Sequence, residues 1–432
     1  MKKAASFALG CKVNQYESEA IAELFAEKGY EIVGIDEEAD VYVINTCTVT
    51  NFGDKKSRQL IRKVKRQNEN AIVAVVGCYA QTAPKELMEI AGVNLVIGTK
   101  DRAQIVEMVE QYDRANGVEN HVSDIMKERV FEPLSIQKLA NRTRAYLKIQ
   151  DGCSQYCSYC IIPYARGPIR SREPREVVAE VKRLAENGFK EVVLTGIHVA
   201  SYGKDRRDTS LLDILKQVHE VEGIERIRFS SIEPNVVTEE FAQTMAALPK
   251  VCDHFHLSLQ SGCDKTLKEM NRKYDTEKYR QAVATLRKYL PKVALTTDII
   301  VGFPGETEED FRESYAFAEE IGFAKIHVFP YSPKRGTPAA ARKDQLLNAV
   351  KSERSHTLIQ LSDRMAADFL ADAVGTDAEV LYERAVGDGI YEGHTTNYMK
   401  VHGRSEADLT NRIAKTHITR AEGEMLFGDV EA

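Results

Sequence analysis

The chain is poor in everything that marks an unusual class of protein. Proline (12 residues) and glycine (26) are few among 432 residues, and 43% of the chain is hydrophobic and 29% charged. That balance excludes disordered, collagen-like and low-complexity classes and lets a sizeable core form. Neither sign of charge dominates: the net charge is −6. Overall attraction to nucleic acid is thereby excluded, and any such contact has to come from a local basic face. No stretch reaches the roughly 20 apolar residues of a membrane span. The start, MKKAASFALGC, carries an apolar run of only about seven residues, the minimum for a signal segment. Lys12 and an amphipathic pattern follow it at once, so the chain is expected to be cytoplasmic, with no membrane partner. Eight cysteines in such a chain argue for metal or redox chemistry rather than a disulfide framework.

The length suits two or three domains, and the expected class is α/β. In residues 1–120, apolar runs at Ala5–Leu9, Val41–Ile44, Ala71–Val76 and Asn94–Ile97 alternate with helical patterns starting near Asn14, Asn51, Pro84 and Asp101. Strands this apolar imply a small parallel sheet covered on both faces. Residues 121–140 lack periodicity and are expected to be a linker. Six further strand-like runs fall within 141–370: Ala145–Ile149, Glu191–Leu194, Arg226–Ser230, His254–Leu259, Ala294–Val301 and Lys325–Phe329. Helical stretches separate them, which predicts a partial (β/α)6 barrel with its reactive groups at the C-terminal ends of the strands. After an amphipathic helix around Leu347–Leu370, residues 371–432 hold short β-type runs and are expected to form a small all-β barrel.

Six of the cysteines fall into two sets. Cys153-x3-Cys157-x2-Cys160 directly follows the first barrel run. Thiolates are the usual ligands of iron–sulfur clusters, and three of them on a four-iron cubane leave one iron open. A structural zinc site, the competing assignment, wants a fourth ligand that this loop lacks. Cys11, Cys47 and Cys78 each stand at or just past the end of an apolar run, in ASFALGC, VYVINTC and IVAVVGC. If the runs are parallel strands of one sheet, the three thiols meet at the edge where ligands bind in open α/β sheets. They are then either a second three-cysteine site or three buried cysteines acting as small hydrophobes. Cys252 and Cys263 have no partners at metal-like spacing and read as packing residues. The Gly302-Phe-Pro-Gly305 turn lacks the ending of a phosphate loop and reads as a connection.

The CxxxCxxC spacing is the signature of the radical S-adenosylmethionine (SAM) superfamily. The ordered segments ALGCKVNQYES, NTCTVT, VVGCYAQ, CSYCIIPYARGPIRSR, LTGIHVASYG, SLQSGCD and IVGFPGETEEDF resemble the radical SAM methylthiotransferase family along nearly the whole chain. CKVNQYES is most similar to its branch acting on threonylcarbamoyladenosine in tRNA. The resemblance implies two [4Fe–4S] clusters and S-adenosyl-L-methionine as cofactors. Cys153, Cys157 and Cys160 would hold the radical-generating cluster, and Cys11, Cys47 and Cys78 the second. Tyr159 would contact the adenine of SAM, and Gly196, Glu233 and Gln260 its remaining parts; for each, ordinary packing or hydrogen bonding is the other reading. The product would be 2-methylthio-N6-threonylcarbamoyladenosine at position 37, beside the anticodon. The partners would be a tRNA anticodon stem-loop and an electron donor such as flavodoxin or ferredoxin, with the oligomeric state left open. The terminal module is similar to the family's TRAM domain, an RNA-binding barrel.

Three groups of basic residues bear on that expectation. Lys55, Lys56, Arg58, Arg62, Lys63, Lys65 and Arg66 crowd one helical stretch with no acid after Asp54, which suggests phosphate contact. Arg166, Arg170 and Arg172 follow the second cysteine motif. Lys400, Arg404, Arg412, Lys415 and Arg420 dot the terminal module, consistent with backbone contacts to RNA. Rival expectations keep the chemistry but change the substrate, to isopentenyladenosine in tRNA or an aspartate of a ribosomal protein. A different class, a non-catalytic iron–sulfur electron carrier or RNA-binding protein, predicts no SAM cleavage.

Overall fold

The computed structural model describes residues 1–136 and 143–431. Residues 137–140 of the expected linker, 141 and 142 at the start of the expected barrel domain, and residue 432 lie outside the described residues.

Six parallel strands form the first sheet: β1 (Lys3–Ala8), β2 (Glu31–Ile32), β3 (Val41–Thr46), β4 (Ile72–Gly77), β5 (Leu95–Val96) and β6 (Glu119–Asn120), in the order β2-β1-β3-β4-β5-β6. β3 is buried at every position, as its unbroken Val/Tyr/Ile run requires when both faces are covered. Ile21 and Phe25 of α1 (Lys12–Glu27) cover one face together with Ile105 and Val106. Ile61 and Val64 of α2 (Asn51–Gln67) cover the other, beside Leu87. The two-residue strands β2 and β6 are too short to leave a pattern in the sequence.

The barrel strands are β7 (Arg144–Asp151), β9 (Glu191–Gly196), β10 (Arg226–Phe229), β11 (His254–His256), β12 (Ala294–Val301) and β13 (Lys325–Pro330); β8 (Arg170–Ser171) pairs antiparallel on the outer side of β7. They run as two ladders, β10-β9-β7-β8 and β11-β12-β13, bridged at Ile227–Val251 and Ile232–Leu257. Among the described residues no ladder joins β13 to β7, so the barrel stays open on one side. Tyr16 and Ala20 of α1 pack into the barrel core while Ile21 and Phe25 serve the first sheet. One helix therefore holds both units. Residues 121–136 of the expected linker are packed: Ile125, Leu134 and Ile136 are buried and Glu132 pairs with Arg102.

The helix Asn348–Ala371 lies along the barrel, burying Leu358 and Leu361. It leads into a closed five-stranded barrel of β14 (Asp377–Gly387), β15 (Ile390–Thr395), β16 (Lys400–Arg404), β17 (Arg412–Glu422) and β18 (Met425–Val430). Arg226 donates to the carbonyls of His394 and Glu379, and Arg228 to those of Thr395 and Thr396. Tyr398 stacks on His254 at 4.9 Å, between the guanidiniums of Arg144 and Arg228. Arg144, Arg226 and His254 begin their strands. The terminal barrel is thus docked at the N-terminal mouth of the large one, away from the cysteine loops.

Candidate active site

Both cysteine sets sit where parallel strands end. β1, β3 and β4 are neighbours in register, which brings Cys11, Cys47 and Cys78 to one edge. Cys11 caps α1, Cys47 follows β3, and Cys78 opens a short helix after β4. Burial pushes the Cys47 thiol up to about 12, with Cys78 and Cys11 adding to the rise. Cys78 is raised by burial and by Cys11, against the pull of Arg166. The thiols therefore feel one another. Gly10 has φ +98°, and a Cβ there would stand 2.5 Å from the Cys47 Cβ and 2.6 Å from its Sγ. The residue before Cys11 has to be glycine because Cys47 occupies the space a side chain would need.

The second loop is pinned from several sides. Ser158 N donates to Met270 O at 2.9 Å, Ser158 Oγ to Glu269 O at 2.8 Å, and Cys153 N to Gly167 O at 3.0 Å. Burial raises Cys153 to about 11 and Cys160 to about 12, with Cys157 contributing to both. Arg272 Nη1 faces the Cys157 sulfur at 3.1 Å while its Nη2 pairs with Glu233 Oε1 at 2.8 Å. His198 Nε2 lies 3.2 Å from the other Glu233 oxygen. Burial would push Glu233 up, but His198 and Arg272 hold it below the ordinary range. Among the described residues no three His, Cys, Asp or Glu side chains are arranged to hold a single metal ion. The ligands of a cubane sit on different irons and need no such convergence on one point.

Between the two loops lies a cavity of about 280 Å³, lined among others by Val49 and Thr50 just past Cys47, Tyr159, Cys160, Gln260, Asp298 and Phe329. Two of the site residues expected from the sequence, Tyr159 and Gln260, thus line one cavity. Tyr159 packs against Met270, Phe303 and Tyr331, and Gln260 adopts φ +73°. Gly196 does something else: the space it leaves is filled by Gln150, whose Oε1 would lie 2.8 Å from a Cβ there and accepts from His198 N. Cys252 and Cys263 are buried.

Arg166, Arg170 and Arg172 are buried and ion-paired with Glu17, Asp151 and Glu180. Sequence reasoning missed Arg272 and Asp298. Glu17, which pairs with Arg166, lies far from it in sequence, and Arg272 follows the helix Asp264–Glu269, with none of the six grouped cysteines near it in the chain.

The partial barrel with a three-cysteine loop after its first strand is the architecture of a radical SAM enzyme. Residues 147–318 match the Radical SAM superfamily, and residues 3–98 match "Uncharacterized protein family UPF0004". A solved radical SAM methyltransferase, TsrM from Kitasatospora setae, shares the fold with a TM-score of 0.58 over 79% of this chain and 74% of that one, at 17% identity. The chain is 47% identical to threonylcarbamoyladenosine tRNA methylthiotransferase MtaB of Bacillus subtilis, over 98% of this chain and 94% of that protein. It is 36% identical to tRNA-2-methylthio-N(6)-dimethylallyladenosine synthase of Moorella thermoacetica, over 98% and 96%. The chain belongs to the radical SAM methylthiotransferase family. Membership implies SAM and a [4Fe–4S] cluster.

Proposed function

We propose that this chain converts N6-threonylcarbamoyladenosine at position 37 of tRNA, beside the anticodon, to its 2-methylthio derivative. The observation that carries the reading is the cavity bounded by the segment after Cys47 on one side and Tyr159–Cys160 on the other. A cavity lined by Cys160 of one set and by Val49 and Thr50, just past Cys47 of the other, suits a reaction that needs two sources of chemistry at one carbon. The 47% identity to the Bacillus protein, against 36% to the Moorella one, supports threonylcarbamoyladenosine over the dimethylallyl substrate.

In this reading Cys153, Cys157 and Cys160 hold one [4Fe–4S] cluster and Cys11, Cys47 and Cys78 a second. Clusters and SAM supply, when bound, the radical that takes hydrogen from C2 of the adenine and the methylthio group that replaces it, since an aromatic C–H resists acid–base chemistry. The residues fit: each set brings three thiols to strand ends or to one loop, and each has an arginine N–H aimed at one sulfur, Arg272 at Cys157 and Arg166 at Cys78. Tyr159 and Gln260 form the wall against which SAM binds. Glu233, fixed by Arg272 and His198, holds the cation that faces the Cys157 sulfur. The target base leaves the loop stack to enter the cavity.

RNA docks on α2. Its first residue, Asn51, donates to Pro333 O beside the cavity, and Lys55, Lys56, Arg62 and Arg66 further along make no ion pair among the described residues. In the terminal barrel Lys400, Lys415 and Arg420 are paired with acids, which leaves Arg404 and Arg412 for backbone contacts. A flavodoxin or ferredoxin supplies the electrons, and the protein works in the cytoplasm. No helix among the described residues is long and apolar enough to cross a membrane.

The test is an anaerobic assay with three substrates: tRNA bearing threonylcarbamoyladenosine, tRNA bearing dimethylallyladenosine, and ribosomal protein. A methylthio mass gain on the first is expected. A gain only on either of the others moves the chain to another branch, and none on any overturns the proposal.

A further inference from the structure

Burying charge is costly unless each charge meets its opposite. The junction between the two cysteine sets buries six charged side chains: Glu17 on α1, Arg102, Lys148 and Asp151 on β7, Arg166 and Arg170, each 3% exposed or less. Glu17 Oε1 accepts from Lys148 Nζ at 2.7 Å and Arg166 Nη1 at 2.5 Å; its Oε2 faces Arg102 Nη1 at 2.6 Å and Arg166 Nη2 at 3.0 Å. Asp151 Oδ2 pairs with Lys148 at 2.6 Å and lies 3.5 Å from Arg166 and 3.6 Å from Arg170. Glu132, at the margin, closes on Arg102 at 2.5 Å. Four cations thus face three carboxylates.

The surplus has a direction. Arg166 spends Nη1 and Nη2 on Glu17 and Asn14, and its remaining N–H, on Nε, points at the Cys78 Sγ at 3.1 Å. A neutral thiol would leave one positive charge unmatched in a dry interface. A thiolate belonging to an anionic cluster matches it. Arg166 also ends the helix Ile162–Arg166, which starts two residues past Cys160, so one side chain reaches from the cysteine loop of the barrel to a cysteine of the other set.

We propose that Arg166 is a positioning residue for the second iron–sulfur cluster: its N–H···S bond and the surplus charge of the Glu17 network stabilise the cluster's reduced form and fix it relative to the Cys153–Cys160 loop. This rests on the reading of Cys11, Cys47 and Cys78 as cluster ligands. Charge-assisted hydrogen bonds to cluster sulfurs raise a reduction potential because the reduced form carries more negative charge. Arginine loss and acid loss in the same network therefore act in opposite directions, which a merely structural role would not produce.

The experiment uses the full chain with Cys153, Cys157 and Cys160 changed to Ala, reconstituted anaerobically with iron and sulfide. Iron is counted, and the cluster is titrated with dithionite and redox mediators under electron paramagnetic resonance. The parent is expected to hold about four irons per chain. Adding Arg166→Gln should lower the reduced-to-oxidised ratio at fixed potential by about tenfold, the worth of one charge-assisted hydrogen bond. Glu17→Gln should raise that ratio, and Arg166→Lys should keep most of the parent's. Iron lost in Arg166→Gln but kept in Arg166→Lys supports the positioning role as well. An Arg166→Gln cluster that titrates with the parent, or shifts of the same sign in the Arg166 and Glu17 variants, overturns the inference alone. A parent that binds no iron overturns the second-cluster reading and this inference with it.

Discussion

Gly10→Ala separates the two cysteine sets by adding one methyl group. The backbone cost at φ +98° is about 1–3 kcal/mol for a residue with a Cβ. The added carbon would also lie 2.5 Å from the Cys47 Cβ and 2.6 Å from its Sγ. An ordinary carbon contact is about 3.5–4 Å, so Cys47 has to retreat by roughly 1 Å. A chain of this size can absorb the strain, but a metal site tolerates only about 0.2 Å in its ligand distances. The variant is therefore expected to fold, to lose close to half of its reconstituted iron, and to keep cleaving SAM to 5′-deoxyadenosine while yielding no methylthio product. Iron and sulfide counts per chain, with circular dichroism for the fold, read this directly. Full iron together with undiminished product in Gly10→Ala would refute the argument that Cys47 is held in place for a cluster.

Other perturbations reach other parts of the account. Tyr398→Ala removes the plug between Arg144, Arg228 and His254; with the ring partly exposed, the loss should be about 1–3 kcal/mol. It should appear as faster amide exchange in β15 and β16 while 5′-deoxyadenosine formation stays normal, and unchanged exchange there would contradict the docking described. Burial raises Glu306 to about 7, against the pull of Arg354 and the amides of Gly302 and Phe303. An acid raised on folding keeps a proton that the unfolded chain releases, so stability falls as pH climbs from about 4.5 to 7. The total is up to about 3 kcal/mol, and Glu306→Gln should flatten that part of the melting profile between pH 5 and 8. A wild type that gains stability over the variant across that range would show the sign to be wrong. Changing Lys55 and Arg62 on α2 to Glu should weaken tRNA binding by about tenfold or more and reduce its salt dependence, with SAM cleavage untouched. Unchanged binding would remove α2 from the RNA interface.

Much of this architecture was legible because apolar runs bracketed by helices leave a strong pattern. Val41–Ile44 and Ala294–Val301 reappear as the first four residues of β3 and as the whole of β12. The same runs put Cys11, Cys47 and Cys78 at strand ends, which is why their convergence could be expected without coordinates. Strands without apolar runs were invisible: β15, IYEGHT, mixes one isoleucine with polar residues because only part of it faces the small barrel's core. The pairing of Arg166 was not legible for a physical reason: charge type is written in the sequence, but whether Glu17 from α1 closes on it depends on packing across two units. Gly196 shows the converse, since an open backbone position was visible and its occupant, the Gln150 side chain, was not.

The most direct test of the account is a paired product assay on the reconstituted enzyme with SAM, reductant and tRNA bearing threonylcarbamoyladenosine. It measures 5′-deoxyadenosine and 2-methylthio nucleoside in wild type, Cys157→Ala and Cys47→Ala. The account predicts both products in wild type, neither in Cys157→Ala, and 5′-deoxyadenosine alone in Cys47→Ala. Methylthio product from Cys47→Ala at the wild-type level would contradict the claim that the two cysteine sets serve one cavity with separate tasks.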